Sequence, residues 1–68
     1  MATNRLEILQ QMVAQDPNNT FARYGLAMEY ANGGALEQAV SEFHNLIRHD
    51  ADYSAAYFHG GQALEKLG

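Results

Sequence analysis

The sequence predicts an all-α protein of four helices, folded as antiparallel hairpins in a short stack. Three observations carry this expectation. Apolar residues recur at three-four spacing in four separate segments, the period of one buried helix stripe. The breaks between the segments are short and hold turn-forming residues: Pro17-Asn18-Asn19, Asn32-Gly33-Gly34 and Asp50-Ala51-Asp52. The pattern also returns on itself after 34 residues, the mark of units that stack.

The first helix is expected over residues 4–15, with Leu6, Leu9, Met12 and Val13 as one buried stripe. Asn4 can cap its start, with Glu7 three residues on. Pro17 prevents continuation and pushes Asp16 out of helical geometry. The second helix spans about Thr20 to Ala31, capped by Asn18 or Asn19. Phe21, Tyr24 and Met28 form one stripe on it. Ala22, Leu26, Ala27 and Tyr30 form a neighbouring one. An apolar arc this wide is contacted on more than one side, or offers one face for binding. Gly33-Gly34 suits the left-handed backbone that closes a helix.

The third helix spans about Ala35 to His49. Leu36, Ala39, Val40, Phe43, Leu46 and Ile47 make its buried face, and Glu37, Gln38, Ser41, Glu42 and Asn45 its wet face. Arg48 and His49 suit the negative end of the helix dipole. The fourth helix spans about Tyr53 to Leu67, with Asp52 as its cap and Ala56, Tyr57, Leu64 and Leu67 on its apolar side. Gly60-Gly61 in mid-helix costs about 1 kcal/mol per glycine against alanine. Such a pair implies that another backbone comes close.

Composition bounds what such a stack can do. Sixty-eight residues allow one small domain, 1–68, with a marginal core. A hydrophobic fraction of 47%, rich in alanine, excludes a disordered class and suits closely packed helices. There is no cysteine, hence neither a disulfide framework nor a thiolate metal site. A formal charge of −4 argues against nucleic acid and anionic lipid as partners. No apolar run approaches the roughly 20 residues of a membrane span. The opening Met1-Ala2-Thr3-Asn4-Arg5 has no apolar signal core, so a soluble, cytoplasmic chain is expected.

The 34-residue displacement holds pair by pair. Leu6 falls on Val40, Leu9 on Phe43, Met12 on Leu46 and Val13 on Ile47. Asp16 falls on Asp50, Asn18 on Asp52, Ala22 on Ala56, Tyr24 on Phe58 and Gly34 on Gly68. With these residues in place the chain resembles a tetratricopeptide repeat. Leu26-Ala27 stands for the family's Leu-Gly pair, Tyr30 for its tyrosine and Gly34 for its turn glycine. Ala39 and Phe43 match the second-helix alanine and aromatic, and Asp16-Pro17 the closing Asp-Pro. Three positions depart from the pattern. Arg23 stands where the family prefers tryptophan, and Gly60 replaces the leucine, weakening the packing expected around the fourth helix. Ala51 replaces the closing proline and leaves the third helix free to run on a little. The resemblance implies a right-handed solenoid in which residues 4–15 are the second helix of one repeat, 20–52 a whole repeat, and 53–67 the first helix of the next.

No constellation for chemistry stands out. His44, His49 and His59 share no helix face and no cysteine joins them, so no metal site or other cofactor is expected. Glu37 and Glu42, five apart on the wet face, read as solvated surface rather than as a catalytic pair. The glycine pairs lack the preceding strand of a phosphate loop. An enzyme or a small ligand-binding bundle is the least favoured class.

A binding groove is the better expectation, and the resemblance places it. First helices of successive repeats line the concave surface in this family. The residues in that register are Phe21, Tyr24, Gly25, Met28, Ala31 and Asn32, then Ala55, Phe58, His59, Gln62, Glu65 and Lys66. Tyr24, Met28 and His59 stand where a clamp for a peptide's terminal carboxylate would need lysine, arginine or asparagine, so no such clamp is expected. The groove is aromatic and apolar, suited to an amphipathic helix or apolar segment of a protein partner. The alternative is that Phe21, Tyr24, Met28 and Phe58 pack on each other or on a neighbouring chain.

A second use of apolar surface follows from the phase of the repeat. Leu6, Leu9, Met12 and Val13 of one chain are complementary to Tyr57, Gly60, Gly61 and Leu64 of another. Self-association, as a closed dimer or head to tail, is therefore the alternative function. A boundary drawn through a longer repeat protein would leave the same faces open.

Overall fold

The computed structural model of the chain describes residues 4–68. They form α1 (Arg5–Gln15), α2 (Thr20–Asn32), α3 (Leu36–His49) and α4 (Ser54–Leu67), with no strand among the described residues. Met1-Ala2-Thr3, part of the segment inspected for a signal core, lies outside them. No helix of the described residues is long and apolar enough to cross a membrane.

Each turn is set by identifiable chemistry. The Glu7 N–H donates to Asn4 Oδ1 at 3.1 Å, and the Ala22 N–H to Asn19 Oδ1 at 3.0 Å, so α1 and α2 are both capped by asparagine. At the end of α2 the chain closes in a Schellman turn. Gly34 takes φ +84°, its N–H donates to the Ala31 carbonyl and the Ala35 N–H to the Tyr30 carbonyl. Gly33, the preceding residue, keeps a negative φ.

Two expectations about turns need correction. α3 does not run on past the position where Ala51 replaces proline: it ends at His49, in register with Gln15 at the end of α1. The cause is a shared side-chain turn. Asp16 Oδ1 accepts from the Asn18 N–H at 3.2 Å, and Asp50 Oδ1 from the Asp52 N–H at 3.3 Å. The aspartate competes with the helix for the backbone, so proline is not required. For the same reason Asp52 is not a cap. The residue in Asn19's register is Tyr53, and α4 starts without a side-chain cap.

The helices pack side by side in chain order, α1 on α2, α2 on α3 and α3 on α4, with α2 also touching α4. The core is alanine-rich: Ala22, Ala27, Ala39, Ala56 and Ala63 are buried with Leu26, Phe43 and Leu46. Small side chains let helix axes approach, and Phe43 and Leu46 are the two large side chains sealed completely. Leu36, Val40, Ile47 and Tyr30 pack around them.

The outer helices depart from their expected stripes. α1 has no fully buried residue: Leu6, Leu9 and Val13 are half-buried, and Met12 is exposed. Among the described residues α1 touches no helix but α2, and Met12 on its stripe is left exposed. On α4, Ala56 is buried, whereas Tyr57, Leu64 and Leu67 are exposed. Gly60 does mark a close approach, but to a side chain rather than a backbone. A Cβ there would lie 3.2 Å from Phe43 Cβ, whereas at Gly61 it would meet nothing within 4 Å.

The wet-face reading of Glu42 also fails. Arg23, standing where tryptophan is usual in the resemblance, is 8% exposed between α2 and α3. Its Nη1 donates to Glu42 Oε1 at 3.0 Å and its Nη2 to the Pro17 carbonyl at 3.1 Å. Nε has no partner. A long cation in an aromatic's place draws the acid of the facing helix inward, because an unpaired buried charge is costly.

Candidate functional site

The candidate site is built on α2, the helix that touches all three others. Its core stripe of Ala22, Leu26 and Ala27 fixes its rotation. The 3.6-residue period then turns Phe21, Tyr24, Met28 and Asn32 to a common side. With Arg5, Leu9, Gly25 and Glu29 these four line a concavity of about 420 Å³. Gly25 permits it: a Cβ there would press on Leu9 Cδ2 at 3.2 Å, so glycine lets α1 lie close and form a wall. Arg5 Nη1 donates to Glu29 Oε2 at 3.1 Å along the rim, leaving the floor apolar.

A second, smaller cleft of about 70 Å³ opens where α2 meets α4. Met28, Asn32, Leu36, His59, Gln62 and Lys66 line it. Met28 and Asn32 line both concavities, one on the α1 side of α2 and one on its α4 side.

The ring side chains divide by burial. Tyr24 is partly buried, its centroid 5.4 Å from Tyr53, 6.0 Å from His59 and 6.4 Å from Phe43. His59 lies nearly parallel to Phe43 at 6.5 Å and has Phe58 edge-on at 5.1 Å. Tyr24 and Met28 thus serve the core and the groove at once. Phe21 and Phe58 do not: they are 76% and 63% exposed. Phe21 overhangs the larger concavity, while Phe58 and Glu65 line neither.

Of the nine groove residues expected from the sequence, the structure gathers Phe21, Tyr24, Met28, Asn32, His59, Gln62 and Lys66. It adds Arg5, Leu9, Glu29, Leu36 and Ala63, which sequence reasoning did not place in the groove. The signal for Leu9 was present. The displacement that puts Leu9 on Phe43 also puts Gly25 on His59, and Leu9 lies against Gly25 as Phe43 lies against His59. The self-association residues are split. Met12, Tyr57, Gly61 and Leu64 are exposed, Leu6, Leu9 and Val13 are half-buried, and Gly60 is buried against Phe43. Ile8, outside the expected set, is 47% exposed.

Among the described residues, no three of His, Asp and Glu gather so as to hold a metal ion. His44 and His49 are exposed, and His49 Nδ1 lies 2.9 Å from the Asn45 carbonyl oxygen.

Comparison with known proteins agrees with this architecture. The family model described as tetratricopeptide repeat matches residues 1–66. A TPR repeat-containing protein of Pseudomonas aeruginosa is 30% identical over 63 residues, 93% of this chain and 60% of that protein. The chain therefore spans less than two thirds of the length of that relative. No solved structure matches it. The chain belongs to the tetratricopeptide repeat family.

Proposed function

We propose that the chain is a protein-interaction module that takes an apolar segment of a partner, as an amphipathic helix or an extended peptide, into the groove over α2. The observation that carries this is Phe21, a large apolar side chain 76% exposed beside an apolar-floored concavity of about 420 Å³. A phenylalanine left wet at the lip of a pocket is a contact in waiting, since burying it is worth roughly 1.5–3 kcal/mol. Family membership supports the same reading, because tetratricopeptide repeats act as scaffolds for other proteins. The chain has no catalytic part in it.

Arg5 and Glu29 satisfy each other at the rim, Tyr24 and Met28 are uncharged, and Lys66 lies only in the smaller cleft beside α4. Recognition therefore rests on apolar side chains rather than on a terminal carboxylate.

Selection from a random peptide library against the folded chain tests this. Apolar peptides are expected, bound equally with free and amidated C-termini. Phe21→Glu should weaken them about tenfold or more while leaving the melting curve in place, because Phe21 touches little of the core. Tyr24→Ala is a poorer probe, since that ring also packs on Phe43. Peptides whose affinity ignores Phe21→Glu, or collapses on amidation, would refute the proposal.

A further inference from the structure

Away from the groove, two helix faces stand open. α4 shows Tyr57 at 52% exposure and Leu64 at 50%, with Gly61 between them and clear of other atoms. α1 shows Ile8 and Met12. A groove of about 340 Å³ runs beside the α4 face, lined by Val40, Phe43, Tyr57, Gly60 and Leu64 among others.

The α2–α3 hairpin shows how such a face is covered. In the 34-residue register Tyr57 stands at Arg23, Gly61 at Ala27 and Leu64 at Tyr30, so α4 is a copy of α2. Ile8 stands at Glu42, Leu9 at Phe43 and Met12 at Leu46, so α1 is a copy of α3. Laying α1 of a second molecule on α4 as α3 lies on α2 brings Ile8 against Tyr57. Inside the molecule that crossing is held by the Arg23–Glu42 ion pair. Both members of the pair have been replaced by uncharged side chains, Ile8 and Tyr57, in matching positions, and the Tyr57 hydroxyl is already satisfied by the Ala51 carbonyl. Had only one changed, the other charge would be buried without its partner. This matched exchange is what singles out a second copy of the chain as the occupant.

One residue resists. Arg5 stands at Ala39, which is completely buried at the internal crossing. Two features accommodate it. Gly61 leaves open space opposite, and the Arg5 side chain is 74% exposed with its guanidinium turned to Glu29.

We propose that this chain associates head to tail, α1 of one copy covering the Tyr57–Gly61–Leu64 face of α4 on the next. The α4 face shares no residue with the Phe21 groove; on α1, Arg5 and Leu9 belong to both, so Ile8 and Tyr57, which lie outside the groove, are the positions that separate the two proposals. Each copy keeps one open face of each kind, so assembly grows past the dimer unless it closes.

Sedimentation equilibrium from micromolar to millimolar concentration tests it. The average mass is expected to rise with concentration. Ile8→Glu and Tyr57→Arg, both at exposed positions, should each lower the association constant about tenfold or more, with helical circular dichroism unchanged. Combining the two substitutions in one chain rebuilds the internal ion pair across the contact and should restore association, as should mixing the two single variants. Arg5→Ala should tighten it. A monomer at every concentration overturns the proposal, and gives the face to a helix of another protein or another part of the polypeptide. Association that survives both single substitutions, or a double variant that fails to recover, overturns it as well.

Discussion

Arg23 sits in the core and behaves unlike its neighbours there. Its side chain is only 10% exposed, and that of Glu42 21%. Removing one partner leaves the other desolvated, whereas removing both leaves a space that apolar atoms can fill. Glu42→Met is therefore expected to cost about 1.5–3 kcal/mol, while Arg23→Met with Glu42→Met comes out near neutral, as read from urea midpoints. The two glycines of α4 separate just as clearly. Gly61→Ala should stabilise the chain by about 1 kcal/mol, because helix propensity improves and nothing is displaced. Gly60→Ala should gain nothing, since its Cβ would press on Phe43, which the rings of Tyr24 and His59 hold in place. At this scale the sequence was legible for apolar residues and misleading for charged ones. Glu42 looks wet on a helical wheel because its partner lies 19 positions away, and a periodicity cannot see across helices.

The four helices were readable because each boundary carries its own local chemistry. Asn4, Asn19 and Gly34 act within a few residues of where they stand, and their expected roles hold. The exceptions are the starts of α3 and α4. Ala35 and Tyr53 occupy the cap positions and offer no acceptor, so the first amides of both helices lack a side-chain partner. Asn19→Ala should thus lower stability by about 1 kcal/mol, and Ala35→Ser should raise it by a similar amount, both measurable by thermal melting. Tyr53→Asn is a worse remedy at α4, because the tyrosine ring packs on Tyr24. Asp52 was the more obvious cap by residue type. Only the displacement from Asn19 to Tyr53 points to the true position, and it shows that the repeat preserves geometry more faithfully than chemistry.

In the whole molecule, every helix contact but α2–α4 joins neighbours in the chain, and the body measures 33 × 25 × 14 Å. A domain of 68 residues has roughly 3–10 kcal/mol of stability in all. Phe43→Ala should remove about 3–5 kcal/mol of it, a third or more of the total, and lower the thermal midpoint followed by circular dichroism. That the stack exists at all was evident from Phe43, Leu26 and Tyr30 in their register. How unevenly it is held together was not, because burial depends on how many neighbours a helix has. α3 is flanked on both sides, whereas α1 contributes no fully buried side chain and leans on α2 alone. Cohesion is therefore graded along the chain. Amide hydrogens of α1 should exchange with deuterium first, at a rate set by local fraying, while those of α3 wait for global opening. Arg5 and Leu9 line the main concavity from that loosest element, so an occupant of the groove must hold α1 down. Slower exchange in α1 would then report occupancy, even for a ligand that shifts no other part of the molecule.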